Sequence, residues 1–216
     1  MDIKYIIEIF PQIAAYIPVT LLMAIIAMAL ALILGGFLTY LSRISYLKWL
    51  IGLYLLIFRG FPTIVILFVI YFGLPQLLGL GHHWSATVIA TICLALKQEA
   101  YTVEVYRSAL DAVPRGQLEA GLAIGLKTSQ VYRRIIIPQA IRTMIPTLGN
   151  NFTALLKETS LAFSIGVTEM FGQGKLIAST NFRYFEVYFA VGILYVLIIY
   201  VYSLIQEFIE EKVNFY

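Results

Sequence analysis

The chain has 216 residues, of which 61% are hydrophobic and only 12% charged, with a mean hydropathy of +0.87. Soluble domains carry about a quarter charged residues, so a water-soluble globular fold is excluded and lipid is the expected solvent. The formal charge of +3 is small, and the placement of the basic residues matters more than their sum.

Five apolar stretches of about 20 residues, the length a bilayer demands, can be drawn along the chain. The first covers 13–41; it is longer than a cleavable leader's apolar core and is expected to be retained. Pro18 and Thr20 sit in its first turns, and Gly35-Gly36 permits close helix contact. A short loop with Arg43 and Lys48 leads to the second, 49–71, which contains Arg59-Gly60-Phe61-Pro62. The loop 73–84 has His82 and His83 but no Lys or Arg, and no metal-binding spacing accompanies the pair. The third stretch is 85–110. The fourth covers 139–165 and is loosened by Pro146, and the fifth is 185–209 after a loop with Glu169, Gly172 and Gly174. Cys93 is the single cysteine and lies in an apolar span, so no internal disulfide forms. One transmembrane domain, 1–216, accounts for the whole chain, and no internal repeat is legible, which argues against an inverted-repeat carrier.

Between the third and fourth stretches lies the longest polar interval, 111–138. It carries Arg115, Lys127, Arg133 and Arg134 yet reads as helix: 117–123 has good helix formers, Gly125 interrupts them, and Thr128 or Ser129 is placed to cap a second short helix. Arg43, Lys48, Arg107, Arg115, Lys127, Arg133, Arg134, Arg142 and Lys212 fall on one side of the membrane; Lys4, Lys175 and Arg183 fall on the other. The Lys/Arg bias puts 111–138 in the cytoplasm, the N-terminus outside and the C-terminus inside.

Charges also occur inside the apolar stretches: Arg59, Lys97 and Lys157, with Glu99, Glu104 and Glu158. At a rise of ~1.5 Å per residue Arg59 and Lys97 fall ~16–18 Å from one end of their spans, and Lys157 ~16 Å past Pro146, where the fourth span is expected to enter the lipid; all three lie near the midplane. A charge there costs at least about 2.5–3.5 kcal/mol, so each must pair, face water or hold a ligand. One reading is ion pairs joining helices, Arg59 with a glutamate among them. The other is a polar chamber for a zwitterionic solute, with Arg59 toward a carboxylate, Glu158 toward a cation, and Gln98, Thr102, Asn151, Thr159 and Ser160 completing the hydrogen bonds. Gln98, Tyr101, Thr102 and Val105 share one helical face. Glu104 and Arg107, three apart, form a local pair, whereas Lys97 and Glu99 do not share a face.

In the polar interval, Glu119-Ala120-Gly121, Gly125, Ile135 and Ile137-Pro138 resemble the EAA loop of ATP-binding-cassette (ABC) importer permeases. Gly121 stands where the family has alanine and Ile137 where it has leucine; the spacing from Glu119 to Pro138 is kept. Arg59-Gly60-Phe61-Pro62-Thr63, Tyr71-Phe72-Gly73-Leu74-Pro75, Ala100-Tyr101 with Glu104 and Arg107, Leu148-Gly149-Asn150 and Lys157-Glu158-Thr159-Ser160-Leu161 resemble the polar amino acid branch of that family, over roughly 18–205.

The resemblance implies an all-α membrane protein of the type I importer fold, with five transmembrane helices and a cytoplasmic coupling-helix loop, in a prokaryotic cytoplasmic membrane. It implies a transport subunit, not an enzyme, moving a polar amino acid by alternating access. It implies as partners a pair of ABC ATPase subunits, a second permease copy or paralogue, and an extracytoplasmic solute-binding protein, with no nucleic acid. Coupling falls to Glu119, Ala120, Gly121, Gly125 and Pro138. No GxxxxGK[ST] loop is present, so ATP and Mg belong to the partner ATPase and no cofactor or metal is expected in this chain. One departure bears on substrate: Lys97-Gln98-Glu99 stands where the branch has small or neutral residues. Glu99 with Glu158 favours a cationic amino acid, and Lys97 opposes it. The alternative class is an ion-coupled carrier or channel working without an ATPase; a membrane-embedded enzyme using Glu158 and Lys157 is weaker still, because neighbours point to different helix faces.

Overall fold

The computed structural model describes residues 1–79 and 84–213, and the His82-His83 pair lies outside them. Every regular element among the described residues is helical.

The first helix, α1 (Ile3–Ala14), was not expected from hydropathy. Its side chains explain it: Asp2 caps it by accepting the Tyr5 N–H, and Ile6, Ile9 and Ile13 form one buried stripe. That N–H, with the Arg183 guanidinium 3.0 Å away, holds the Asp2 carboxyl below the usual carboxylate range. The chain breaks at Ala15-Tyr16, so α2 runs Ile17–Leu41, with Pro18 in the first turn, where its missing N–H costs nothing.

The stretch expected as a second span is two helices. The first, α3 (Lys48–Gly60), ends where Phe61 is extended before Pro62, and Thr63–Leu78 departs at 108°. That second arm comprises α4 (Thr63–Phe68), a π-turn (Val69–Gly73) and α5 (Leu74–Leu78). The third stretch is α6 (Ala86–Ala112). The polar interval holds α7 (Arg115–Ala123) and α8 (Thr128–Val131); Lys127 precedes α8, so Thr128 is its first residue and not its cap.

A π-turn (Tyr132–Ile136) leads into α9 (Ile137–Glu158), and Thr159–Ile165 then tightens into a 3-10 helix, so the fourth α-helix is shorter than the apolar stretch. The loop expected before the fifth span contains α10 (Met170–Asn181), and α11 runs Tyr184–Val213.

Only α2 and α11 are, among the described residues, long and apolar enough to cross a membrane unaided; α3 with Thr63–Leu78 makes a third if the bent pair counts as one. Apart from Arg59 on α3, the charges and amides noted above are on α6, which is buried through its middle, and on α9, which is buried on one side and exposed on the other. The most extensive helix pair is α2 with α6, followed by α6 with α9. Met23, Ala27, Leu67, Cys93, Leu94 and Leu155 form the main core between α2, α4, α6 and α9. The approach is close at Gly35, where an added Cβ would lie 2.9 Å from the Thr102 methyl. A second core joins α1, α10 and α11 through Ile9, Ile13, Met170, Val187 and Val191. Ile33 and Phe37 on α2 and Val196 and Tyr200 on α11 face outward, as lipid contact requires.

One buried carboxylate ties these halves together. Glu169 accepts the Gly172 N–H at 2.7 Å, the Thr20 hydroxyl at 3.1 Å and the Tyr195 hydroxyl at 3.4 Å, while the Met170 N–H donates to the Thr20 oxygen. Removing it orphans donors from three helices. Glu169→Ala is expected to destabilise the purified protein by about 1–3 kcal/mol, read as a lower melting midpoint in detergent, and Glu169→Gln by less. An unchanged midpoint for the alanine variant would show that these bonds contribute nothing net.

Candidate functional site: a polar strip and a coupling loop

Four of the charges inside the apolar stretches, Arg59, Lys97, Glu104 and Glu158, form one connected strip, while Lys157 is exposed and stands outside it. At one end Lys97 of α6 lies 3.0 Å from Glu158, the last residue of α9, and also donates to Thr63 at the start of α4. The Thr63 hydroxyl donates to the other Glu158 oxygen at 3.2 Å. The Tyr101 ring comes next, with the Lys97 ammonium 6.0 Å and the Arg59 guanidinium 5.8 Å from its centre. Arg59 then pairs with Glu104 at 3.3 Å, and Arg107 shares that carboxylate at 3.4 Å. The bend at Phe61-Pro62 makes this possible, because it sends Arg59 and Thr63 toward α6 from two different helices.

Below the strip, Tyr101, Glu104, Val105, Ser108 and Ala109 of α6 and Thr143, Thr147 and Asn151 of α9 line a cavity of about 340 Å³. Its walls are mainly apolar, with hydroxyls, an amide and a carboxylate set among them, a mix that can hold a small polar solute.

The expected chamber residues divide between this strip and the packed core. Arg59, Asn151 and Glu158 lie on the strip or cavity. Glu99 does not: it is buried and accepts the Tyr54 hydroxyl at 2.9 Å, facing α3. Thr102 is fully buried beneath Gly35 and donates to the Gln98 carbonyl at 2.9 Å. Thr159 is fully buried and donates to the Leu156 carbonyl, and Ser160 donates to the Lys157 carbonyl. Gln98 is buried, and its amide nitrogen is without a hydrogen-bond partner among the described residues. The face shared by Gln98, Tyr101, Thr102 and Val105 is split because α6 is enclosed: Thr102 turns to α2, while Tyr101 and Val105 reach the cavity. Thr143 and Thr147 were missed by sequence reasoning, their only signal being polar groups in an apolar helix, whereas Thr63 and Tyr101 were named there without a role at the site.

The loop 111–138, expected to couple to an ATPase, is compact. The α7 helix ends with the Leu126 N–H bonded to the Gly121 carbonyl and the Gly125 N–H to the Leu122 carbonyl, a Schellman motif that puts Gly125 at φ +86°. An added Cβ on Gly121 would meet a Val131 methyl at 2.7 Å, which accounts for glycine where alanine is usual. Gln117 and Gln139 bond side chain to side chain at 3.0 Å and tie α7 to α9. Glu119 and Ala120 are exposed. So are Leu122 at 44% and Ile124 at 77%, which leaves apolar surface at the tip of a basic loop.

Residues 29–215 match the family described as the inner membrane component of binding-protein-dependent transport systems. The chain belongs to that family. It is therefore a transport component of an ABC importer, not an enzyme, and it has the family's type I permease fold. Among its relatives is the probable amino-acid permease protein YxeN of Bacillus subtilis, 48% identical over 99% of this chain and 96% of that protein. Another is the probable amino-acid ABC transporter permease protein PatM of Vibrio harveyi, 37% identical over 99% of this chain and 96% of that protein. Among solved structures, an amino acid ABC transporter crystallised with histidines superposes with a TM-score of 0.89 at 30% identity, covering 98% of this chain and 99% of its own. An inward-facing form of the MetNI methionine ABC transporter gives 0.75 at 20% identity, covering 94% and 96%, and shares the fold.

Proposed function

We propose that this chain moves a polar amino acid across the cytoplasmic membrane, with the cavity between α6 and α9 and the strip above it as the solute path. The observation that carries the reading is the match to a solved amino acid ABC transporter along nearly the whole chain, with the chain's charged and polar side chains gathered on α3, α4, α6 and α9. Arg59 and Asn151 bind the solute, Gln98 supplies its open donor, and Glu158 answers through its bond to Lys97. Glu99, Thr102, Thr159 and Ser160 act as supports behind the wall.

The energy comes from a separate ATPase pair docking on the loop, with Glu119, Ala120, Gly121, Gly125 and Pro138 supplemented by the exposed Leu122 and Ile124. A second permease, identical or paralogous, and an extracytoplasmic binding protein complete the assembly. Five crossings follow if α6 and α9 span the membrane shielded by α2, α3–α5 and α11, with the loop and the C-terminus inside and the N-terminus outside. The solute's affinity must differ between the inward and outward states, otherwise ATP would move nothing.

The test is amino-acid-stimulated ATP hydrolysis by the purified permease–ATPase complex. Stimulation is expected with at least one polar amino acid. A complex that hydrolyses ATP at the same rate with every amino acid, and takes up none, would contradict the assignment.

A further inference from the structure

Each group in the strip able to greet a cationic side chain is already held by a cation of this chain. Glu158 is paired with Lys97 at 3.0 Å, and Thr63 bonds to both. Glu104 serves Arg59 and Arg107 together. The Tyr101 ring lies between the Lys97 ammonium and the Arg59 guanidinium. Along this strip Arg59, Lys97 and Arg107 face Glu104 and Glu158, so the strip has cation in excess. An incoming guanidinium or ammonium would meet like charge with no free carboxylate to offset it. The Lys97 side chain is only 11% exposed, so its charge is poorly screened by water.

We propose that Lys97 is a charge-selectivity residue: it closes the chamber to amino acids with cationic side chains, and the transported solute has a neutral or acidic one. This rests on the amino acid importer reading and reverses the cationic preference suggested by Glu99 with Glu158. Glu99 does not contribute to the strip, being turned toward Tyr54. Lys97 acts on the solute through Glu158 and through its own field, and the excess guanidinium charge beside Glu104 favours solutes that bring an additional carboxylate.

The experiment uses the permease–ATPase complex in lipid nanodiscs without a binding protein, so that only the chamber selects. Displacement of radiolabelled L-glutamine by L-glutamate and by L-arginine is measured for the wild type, Lys97→Met, Lys97→Arg and Lys97→Met with Glu158→Gln; if L-glutamine does not bind, labelled L-glutamate replaces it. The wild type and Lys97→Arg are expected to bind L-arginine at least about tenfold more weakly than the better of the other two. Lys97→Met is expected to improve L-arginine binding by a similar factor, and the double variant to lose that gain. Wild-type binding of L-arginine as tight as that of L-glutamine or L-glutamate overturns the proposal, as does a Lys97→Met complex with arginine affinity within twofold of wild type. If Lys97→Met fails to assemble, the wild-type and Lys97→Arg competitions decide. Binding of none of the three, together with ATP-driven uptake of no amino acid, would instead overturn the importer reading beneath it.

Discussion

Gly125→Arg is expected to reduce recovery of the ATPase with the affinity-purified permease at least about tenfold, equivalent to about 1.4 kcal/mol of association. Two effects act together. Gly125 sits at φ +86° in the Schellman turn that ends α7, so any side chain there is strained, and arginine adds bulk and charge at the loop's exposed tip. Two further variants separate the effects. Gly125→Asn tolerates the left-handed backbone and is expected to keep most of the complex. Ile124→Asp leaves the turn alone but puts a carboxylate on the most exposed apolar residue of the loop, and is expected to lose the ATPase as fully as Gly125→Arg. Recovery of an intact complex with Ile124→Asp on a sizing column would remove this surface from the docking role.

Glu158→Ala is expected to destabilise the purified protein by up to about 3 kcal/mol, because it leaves the Lys97 ammonium buried without a counter-charge. The figure is at the low end for such pairs because the Glu158 side chain keeps 34% of its exposure. Lys97→Met is expected to cost less, since a carboxylate with that much exposure is better solvated. The double variant Lys97→Met with Glu158→Ala is expected to recover most of the loss, giving a coupling of about 1–3 kcal/mol in a double-mutant cycle. Melting in detergent checks this, and additive losses would mean that the two groups do not stabilise each other. Hydrolysis measured beside it separates structure from transport: Glu158→Gln is expected to blunt amino acid stimulation of the ATPase while assembly survives.

Much of the helix order was legible because hydropathy and proline are local signals. The helices of the 111–138 loop were the clearest case, since their helix formers and Gly125 are local signals, and the structure adds the Schellman turn at Gly125 and the tight approach of Val131 to Gly121. Three elements escaped. The α1 helix is short and amphipathic, so a search for long apolar runs passes over it, although the Ile6, Ile9 and Ile13 stripe is there to read. The α10 helix has two glycines and polar residues, and depends on packing against Phe163 and Val191 that sequence cannot reveal. The 108° turn at Phe61-Pro62 went unread although Arg59, Gly60 and Pro62 interrupt the run there, because the apolar residues on either side add up to the length of one span.

At the site, residue type was a better guide than facing. Charge in apolar stretches pointed to Arg59, Lys97, Glu104 and Glu158, which do pair, but equally to Glu99, which faces Tyr54, and to Lys157, which is exposed. Helical periodicity could not say which side of α6 meets α2, α3 or α9, so it could not separate Thr102 and Glu99 from Tyr101. That separation depends on contacts far apart in sequence, such as Gly35 with Thr102 and Tyr54 with Glu99.

Uptake of radiolabelled amino acid into proteoliposomes holding the permease, its ATPase and the binding protein tests the central claim most directly. The account predicts accumulation that requires ATP on the side of the 111–138 loop and disappears with Ile124→Asp. Full-rate uptake without nucleotide, driven by an imposed ion gradient through the permease alone, would contradict it.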